Sequence, residues 1–458
     1  MSTNSPFGNR QEGRQASAFP TMFMPAHADI PAYRIDMAKP AEERYVQLAK
    51  DFAPHLGSVS PLFDEVVGSL FSKKLLAGVI KFTSRYALRK VFDKEQTKEI
   101  KSIASAAKIS THLVVSLNLF LDLLLGCTSG AALVRPKPND QAGKDTKNRL
   151  MHFRTLEWGM DILRELLVIV EFVDTRKGGA DEVIARSVTY AGFVGCLTGV
   201  RKDLLVSLNF RPNHDCKTTS LRKHQLLVLL GRREAVPSIL RRILLNEDIP
   251  GQKSNASNDM DPRQKGPEPN PPSIKAAAEM LVFKLASPCY VTFCDGSEVM
   301  VILKDLYTGR TKASNLFQVQ CNHDPDHETC CGPSPGKSTA EPTQALILGD
   351  EDWLDESEDR QRALEEKWLQ HMAAVAKGTG AELPGQHNGV CLDADIPTEL
   401  GRDHGEVPGV DEAILQQWVE TYPTTNECTH FACIMDPASG TIRWIARGPE
   451  PSDNSVSD

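Results

Sequence analysis

The spacing of hydrophobic positions changes once along this chain, at a cysteine. Between Lys39 and Leu125 apolar residues recur every three or four positions, as in amphipathic helices, with hardly a strand signal among them. From Cys127 onward the apolar residues form short runs that are typical of strands. The pattern predicts a helical segment over residues 27–126 and an α+β domain over residues 127–458.

The α+β domain is predicted to hold about eight or more strands with helices between them. Asp295-Gly296 lies between "PCYVTFC" and "EVMVILKD", which is a hairpin signal, and "PASG" turns a second hairpin near the end of the chain. Segments rich in Pro, Gly, Asn and Ser near 249–273, 332–344 and 378–407 are predicted to be flexible insertions. Residues 1–26 are polar and are predicted to be a disordered leader.

Composition limits the function classes. The 458 residues are 41% hydrophobic, which is enough for a large core. The 52 basic and 60 acidic side chains give a net charge of −8, so the basic surplus of a nucleic-acid binder is missing and no nucleic-acid partner is expected. The apolar run "LVVSLNLFLDLLLG" from Leu113 is shorter than the roughly 20 residues of a membrane span, and it is predicted to be a buried helix.

The eleven cysteines are scattered without the spacing of a disulfide framework. The leader lacks the apolar region of a secretory signal, which favours reduced thiols and a cytoplasmic location. "CNHDPDHETCC" has zinc-binding residue types, but its irregular spacing favours solvated polar residues. "CCGPSPGKST" has Cys331 where a phosphate-binding loop has its first glycine. No metal or cofactor is predicted.

Cys127 stands between the apolar run and the small-residue stretch "CTSGAALV". A cysteine nucleophile needs its thiolate, a nearby base and donors for the oxyanion. If the Gly126-Cys127 bond were cut, the new α-amine, with a pKa of roughly 7.7 to 8.0, would lie on the same residue and could serve as the base. Without further information, a buried structural cysteine is the simpler interpretation.

Several motifs change this interpretation by their order. They are "CTSG" at Cys127, "FRTLEWGMD" at Phe153, "TYAGFVGCLTGVRKDLLVSLNF" at Thr189, "VQCNHD" at Val319 and "SEDRQRA" at Ser357. Together they resemble the acid ceramidase and N-acylethanolamine acid amidase family, and "PAYRIDMAKPAEERY" is similar to the N-terminal subunit of that family. The likeness extends over most of the chain from Pro31 to Arg447.

The resemblance implies an N-terminal-nucleophile hydrolase with an αββα four-layer sandwich, made as a precursor that cuts itself before Cys127. The small and large fragments would then be partners of one another. The implied activity is hydrolysis of a lipid amide, such as ceramide or an N-acylethanolamine, through a thioester on Cys127. Transient contact with a membrane surface and, as in the animal members, a lysosomal location are further implications.

The resemblance also implies the site residues. Arg154 and Glu157 match an Arg-Asn-x-Asp pair whose acid orients the amine and assists self-cleavage, with glutamate here in place of aspartate. Asn322 matches an asparagine that donates to the oxyanion, and Arg360 matches the first arginine of "DDRRTPA". Asn209 matches a residue expected to contact substrate.

One position departs from the family, because Phe210 stands where the family has a glutamate implicated in processing. Two other functions therefore stay open from the sequence. The first is a thiol acylase for a different amide, and the second is an inactive lipid-binding relative. Without the family pattern, Arg154 and Glu157 would be interpreted as a structural ion pair.

Overall fold

The computed structural model describes residues 30–58, 88–120, 126–135, 147–176, 182–212, 214, 216–247, 272–324, 352–379 and 409–449. The predicted leader and almost all of the three predicted insertions lie outside the described residues, so those predictions are untested. The boundaries of the two predicted segments likewise stay predictions.

The strands are β1 (Ala32–Asp36), β2 (Gly126–Val134), β3 (Arg149–Glu157), β4 (Leu167–Val173), β5 (Val183–Tyr190), β6 (Thr198–Arg201), β7 (Leu204–Phe210), β8 (Cys289–Cys294), β9 (Val299–Lys304), β10 (Gly309–Ser314), β11 (Phe317–Gln320), β12 (Thr429–Asp436) and β13 (Thr441–Arg447). The helices are α1 (Val46–Asp51), α2 (Ala53–Ser58), α3 (Lys94–Ala107), α4 (Thr111–Phe120), α5 (Thr218–Leu229), α6 (Val236–Leu245), α7 (Ile274–Phe283), α8 (Asp352–Thr379) and α9 (Glu412–Glu420), with a 3-10 turn at Asp161–Leu166.

The strands form two sheets. The larger has the order β1-β4-β5-β6-β7-β8-β9-β10, and the smaller has the order β11-β2-β3-β12-β13. The sheets face one another, with β2 against β7 and β8, and β13 against β6. Because both faces of the central strands are covered, all residues of β7 and β8 are buried, and these strands consist mostly of apolar residues.

Helices cover the outer face of each sheet. On the larger sheet α6 packs on β5 to β7 and α7 packs on β8 to β10, whereas α8 and α9 pack on the smaller sheet. Phe317 stacks on Trp368 of α8 with ring centroids 5.1 Å apart, and burying such side chains contributes about 1.5 to 3 kcal/mol each. These layers follow the order α-β-β-α, which confirms the predicted α+β class.

The predicted helical segment is helical in α1 to α4 but begins with a strand. β1 pairs in parallel with β4 at the edge of the larger sheet, so "AYRID" belongs to the sheet and not to a helix. Helix α3 starts at the N-cap Asp93, whose carboxylate accepts from the Gln96 N–H at 2.7 Å. The part of the apolar run that lies in α4 is buried at Val114 and Val115, as expected. Among the helices of the described ranges, none is both long and apolar enough to cross a membrane.

A buried ion cluster holds this segment on the sandwich. Glu99 of α3 is fully buried and accepts hydrogen bonds at 2.5 and 2.8 Å from Arg241 of α6. Arg44 donates to the same carboxylate at 2.9 Å. Removing one member would leave a buried charge without its partner, so the cluster strongly favours this single arrangement.

Candidate active site

Cys127 is the second residue of β2, and its side chain is buried between the two sheets. The thiol accepts a hydrogen bond from Nη2 of Arg154 at 3.0 Å. Burial raises the pKa of the Cys127 thiol to about 12, and the charge of Arg154 acts in the opposite direction. In the intact chain Cys127 is therefore a neutral thiol beside a fixed cation that can stabilise a thiolate.

Arg154 faces Ser129 across the β2–β3 ladder, so its guanidinium extends between the sheets. It donates to Oγ of Ser129 at 2.5 Å, to the Leu208 carbonyl at 2.7 Å and to Oδ1 of Asn209 at 2.8 Å. These three acceptors are neutral, and the guanidinium is fully buried. A thiolate on Cys127 would supply the opposite charge that a buried cation needs.

Asn209 lies on β7 and joins the two sheets at Cys127. Its Oδ1 accepts from Arg154, and its Nδ2 donates to the carbonyls of Gln320 at 2.9 Å and Cys127 at 3.2 Å. These contacts hold β2, the strand of Cys127, in place. The predicted contact of Asn209 with substrate stays a prediction.

Asn322 follows β11 and faces the backbone nitrogen of Cys127. Its Oδ1 accepts from the Cys127 N–H at 2.6 Å, and its Nδ2 donates to the Phe210 carbonyl at 2.8 Å. An N–H can only donate and a carbonyl can only accept, so the orientation of the amide is unambiguous. Asn322 therefore holds the nitrogen that would become the free amine. Its predicted donation to an oxyanion stays a prediction.

Glu157 lies opposite Gly126 in the β2–β3 ladder, beside the bond that the sequence predicts to be cut. A Cβ added at Gly126 would lie 3.1 Å from the Glu157 carbonyl oxygen, so the two residues are in close contact. Burial raises the pKa of the Glu157 carboxyl, partly opposed by the charge of Arg360. Arg360 is buried on α8, with Nη1 3.9 Å from a carboxylate oxygen of Glu356. Hydrogen bonds thus join four of the predicted site residues, Cys127, Arg154, Asn209 and Asn322. The other two, Glu157 and Arg360, act on the pKa of Cys127 through their charges.

Phe210 ends β7, and its side chain is buried. Its ring carries no proton that could be transferred, and its backbone carbonyl serves as the acceptor for Asn322. Of the acidic residues in the described chain, Glu157 is the one that pairs with Gly126. The predicted role of Glu157 in self-cleavage stays a prediction.

Comparison with known proteins supports the family resemblance that the motifs indicate. Residues 28–92 match the family model for the beta subunit of N-acylethanolamine-hydrolyzing acid amidase. Acid ceramidase of Pan troglodytes is 25% identical over 210 residues, which cover 44% of this chain and 50% of that protein. The human acid ceramidase is 24% identical over the same shares, and that of Bos taurus is 24% identical over 247 residues, or 51% and 58%. The chain is thus similar to the acid ceramidases, and its residues 28–92 are similar to the beta subunit of N-acylethanolamine-hydrolyzing acid amidase.

The chain spans about half the length of the curated acid ceramidases that it matches. A solved structure of the Caenorhabditis elegans N-acylethanolamine-hydrolyzing acid amidase ortholog is also similar. It has 17% sequence identity and a TM-score of 0.40, and the match covers 70% of this chain and 100% of the other.

The structure also has a second buried polar pair near Cys127 that sequence reasoning missed. The Tyr190 hydroxyl lies 2.7 Å from Nδ1 of His430, and Nε2 of His430 lies 2.9 Å from the Trp158 carbonyl. Because a carbonyl can only accept, Nε2 carries the proton and Nδ1 accepts from Tyr190. Burial lowers the pKa of His430 to about 3, aided by the charge of Arg164, so the ring is neutral.

A β-bulge directs His430 into this position. The ladder pairs Thr429 with Glu157 and Phe431 with Leu156, which leaves His430 as an extra residue. In a regular strand His430 and Phe431 would face opposite sides, but the bulge lets both point between the sheets. No local sequence signal reveals a bulge that pairs a residue with Tyr190 across 240 positions.

Arg211 and Asp324 form a further pair that the motifs did not single out. Arg211 directly follows Phe210, and Asp324 follows Asn322 by two positions. Nε and Nη2 of Arg211 donate to the two carboxylate oxygens of Asp324 at 2.8 and 2.6 Å. The sequence offered one clue to this pair. Each residue lies one or two positions after a residue that the family resemblance singles out, Phe210 or Asn322.

Proposed function

We propose that this chain is the precursor of a cysteine hydrolase that cleaves the amide bond of a lipid, ceramide or an N-acylethanolamine, to a fatty acid and an amine. The observation that carries the proposal is the arrangement at Cys127. Its nitrogen is held by Asn322 at 2.6 Å and its sulfur by Arg154 at 3.0 Å, at the start of a strand. The names of the related proteins supply the substrate class.

The first reaction is cleavage of the precursor. Sγ of Cys127 attacks the carbonyl carbon of Gly126, the bond between that carbon and the Cys127 nitrogen breaks, and a thioester forms. Glu157 delivers a proton to the leaving nitrogen and regains one from the thiol, since its raised pKa favours the protonated form beside Gly126. Water then hydrolyses the thioester, which frees the Gly126 carboxyl and the Cys127 amine and thiol.

Turnover of a lipid amide uses the new amine. The α-amine of Cys127 takes the thiol proton, and Arg154 stabilises the thiolate. The sulfur attacks the substrate carbonyl, the ammonium group gives its proton to the leaving amine, and water releases the fatty acid from the thioester. Asn322 orients the amine throughout, and Arg360 offsets the charge that Glu157 acquires when it gives up its proton.

The acyl chain requires an apolar surface, and the helical segment is the candidate. Buried Leu, Val and Ile residues of α3 and α4 belong to the same core cluster as Cys127. The two fragments would stay together because the Glu99 cluster joins α3 to α6, on opposite sides of the cut.

The test is direct. Purified protein incubated at acidic and neutral pH should yield fragments 1–126 and 127–458, identified by intact mass and by N-terminal sequencing. Ceramide and N-acylethanolamines of several acyl lengths are then assayed, with Cys127→Ala as the control. Loss of cleavage and turnover in Cys127→Ala is expected. If the variant is as active as wild type, the assignment of Cys127 as nucleophile is wrong. A wild-type protein that cleaves itself but hydrolyses neither class would be a thiol acylase for a different amide, and one that neither cleaves itself nor hydrolyses either class would be an inactive lipid-binding relative.

A further inference from the structure

We propose that the Arg211-Asp324 ion pair is the positioning pair that sets the carboxamide of Asn322 against the nitrogen of Cys127. The inference rests on the proposed function, because it assigns two further residues to the same site. Neither residue touches Cys127 or the bond to be cut. They act through Asn322.

The pair is bidentate and buried at its cationic end. Arg211 is 1% exposed, and its Nε and Nη2 bind both oxygens of Asp324. Its remaining nitrogen, Nη1, donates to Oδ1 of Asp305 at 2.9 Å and to the Lys304 carbonyl at 3.1 Å. The Tyr290 hydroxyl donates to Oδ1 of Asp324 at 2.5 Å. A planar fork of this kind restricts direction as well as distance.

The pair joins two elements that no ladder joins. β7 belongs to the larger sheet and β11 to the smaller one, and the two strands are not hydrogen-bonded neighbours. Phe210 ends β7 and Asn322 lies just after β11, so the bond between them crosses from one sheet to the other. Arg211 and Asp324 cross the same gap immediately beyond. The β11–β2 ladder ends at Gln320 and Ser129 and brings Asn322 near Cys127 within the smaller sheet. Side chains, not a ladder, tie this end of β11 to β7 of the larger sheet.

Other contacts also help to position Asn322, and they limit the effect expected from weakening the Arg211-Asp324 ion pair. Ser357 accepts from the Asn322 backbone N–H at 2.9 Å and lies 2.9 Å from Nδ1 of His323. Asn209 donates to the carbonyls of Gln320 and Cys321. These contacts restrain the backbone around Asn322. Weakening the ion pair should therefore displace the carboxamide without unfolding the segment.

The charges around Asp324 suit a site that works in acid. Burial raises its pKa, but hydrogen bonds from Arg211 and Tyr290 outweigh burial, and the net pKa lies below the usual value. Arg310 lies 3.8 Å away and acts in the same direction, while Asp305 faces Arg211 from the other side. A carboxylate with a depressed pKa keeps its ion pair until the pH falls through that pKa. Asn322 would therefore stay in place in mildly acidic solution.

The decisive experiment is a double-mutant cycle on the full-length chain. Self-cleavage and lipid-amide hydrolysis are measured for wild type, Asp324→Asn, Asn322→Ala and the double variant. Asp324→Asn should lower kcat roughly tenfold, as expected for a reacting group that is misplaced by a fraction of an ångström, and should change KM little. In the Asn322→Ala background the same substitution should change the rate less than about twofold. If the two effects multiply instead, Asp324 does not act through Asn322 and the inference is wrong.

Two more variants test the pair by other means. Tyr290→Phe removes one hydrogen bond to Asp324 and serves as a mild variant if Asp324→Asn folds poorly. Arg211→Lys replaces the fork with a single ammonium group, which should raise the pKa of Asp324 and move the acid limb of the rate profile to higher pH. An unchanged acid limb in a folded Arg211→Lys protein contradicts the inference.

Asp436→Asn is the matched control. Asp436 is a fully buried carboxylate paired with Arg149 at 2.9 Å, and Arg149 lies at the end of β3 opposite to Glu157. The Asp436→Asn substitution should lower Tm, yet its effect on the rate should be the same in the wild-type and Asn322→Ala backgrounds. An inactive wild-type protein would refute the proposed function. If the wild type is active but the rate effects of Asp324→Asn and Asn322→Ala multiply, only the positioning pair is refuted.

Discussion

The backbone N–H of Cys127 donates to Oδ1 of Asn322 at 2.6 Å, although 195 positions separate the two residues. The bond orients, before any cleavage, the nitrogen that would later act as base. Asn322→Ala should therefore slow both self-cleavage and turnover by roughly tenfold to a hundredfold. Asn322→Asp keeps an oxygen for the Cys127 nitrogen and should lose less. Self-cleavage rates followed by intact mass would check that Asn322→Asp is faster than Asn322→Ala. Equal losses of rate in the two variants would contradict the orienting role of Asn322.

Glu157 should show a conflict between stability and function. Its pKa is raised in the folded state, so the stability it contributes is present at low pH and is lost as the pH rises through the folded pKa. Above that pKa, folding must bury the charged carboxylate, which destabilises the protein. Glu157→Gln replaces this charge with a neutral amide and should raise Tm at neutral pH by a few degrees. The same substitution should slow self-cleavage. A wild-type cleavage rate that does not fall as the pH rises would contradict proton delivery by Glu157.

The contact between Gly126 and Glu157 predicts intolerance to a side chain at residue 126. A Cβ there would lie 3.1 Å from a carbonyl oxygen and 3.3 Å from the Glu157 Cβ. Gly126→Ala should cost about 1 to 3 kcal/mol of the free energy of unfolding and slow cleavage. Gly57→Ala is the control, because nothing lies within 4 Å of its Cβ and the residue is in helix α2. The control should leave stability unchanged or raise it by about 0.5 to 1 kcal/mol, as measured by urea unfolding.

His430 should remain neutral in acid. Its pKa falls from 6.5 to about 3, so the unfolded chain binds the proton more readily and the protein loses stability as the pH falls between these values. His430→Gln should remove this dependence while costing about 1 to 3 kcal/mol through the lost bonds to Tyr190 and Trp158. Nitrogen NMR of the imidazole should show the Nε2-protonated form at mildly acidic pH. A ring that titrates near its ordinary pKa would contradict this geometry.

The Glu99 cluster should hold the two fragments together after cleavage. Glu99→Gln leaves Arg241 without its buried carboxylate, and such losses cost about 3 to 5 kcal/mol. Arg241 and Arg44 together keep the pKa of Glu99 low despite its burial, so the contact should persist in mild acid and weaken as the pH falls through that pKa. Size-exclusion chromatography of the cleaved protein measures the association. Glu95→Gln is a suitable control, because that exposed carboxylate also binds Arg44.

Local patterns in the sequence predicted much of the fold. Alternating apolar runs identified most of the strands, and the hairpin at Asp295-Gly296 is present, with Gly296 at a φ of 94°. The change of pattern before Cys127 lies within one residue of the start of β2. These features depend on neighbours a few positions apart, and their physical causes are contained in short stretches.

The strand β1 shows where such patterns fail. Its five residues are similar in spacing to the helical segment that follows, and their pairing with β4 depends on a sheet edge that lies more than a hundred residues further along. Backbone pairing with β4 and the burial of Ile35 determine the strand. Both depend on the packed sandwich.

The sequence by itself determined the family likeness, and it predicted Cys127 as the nucleophile and the residues around it, because their types and order carry that information. Only the tertiary structure decided which atoms meet. It places Asn322 on the nitrogen, Arg154 on the sulfur, His430 on Tyr190 through a bulge, and Arg211 on Asp324 across two sheets. The physical reason is that these contacts join residues that are distant in the sequence, on neighbouring strands of one sheet or on strands of the two facing sheets. The relative position of those strands is set by the packing of the whole core and by no single stretch of chain.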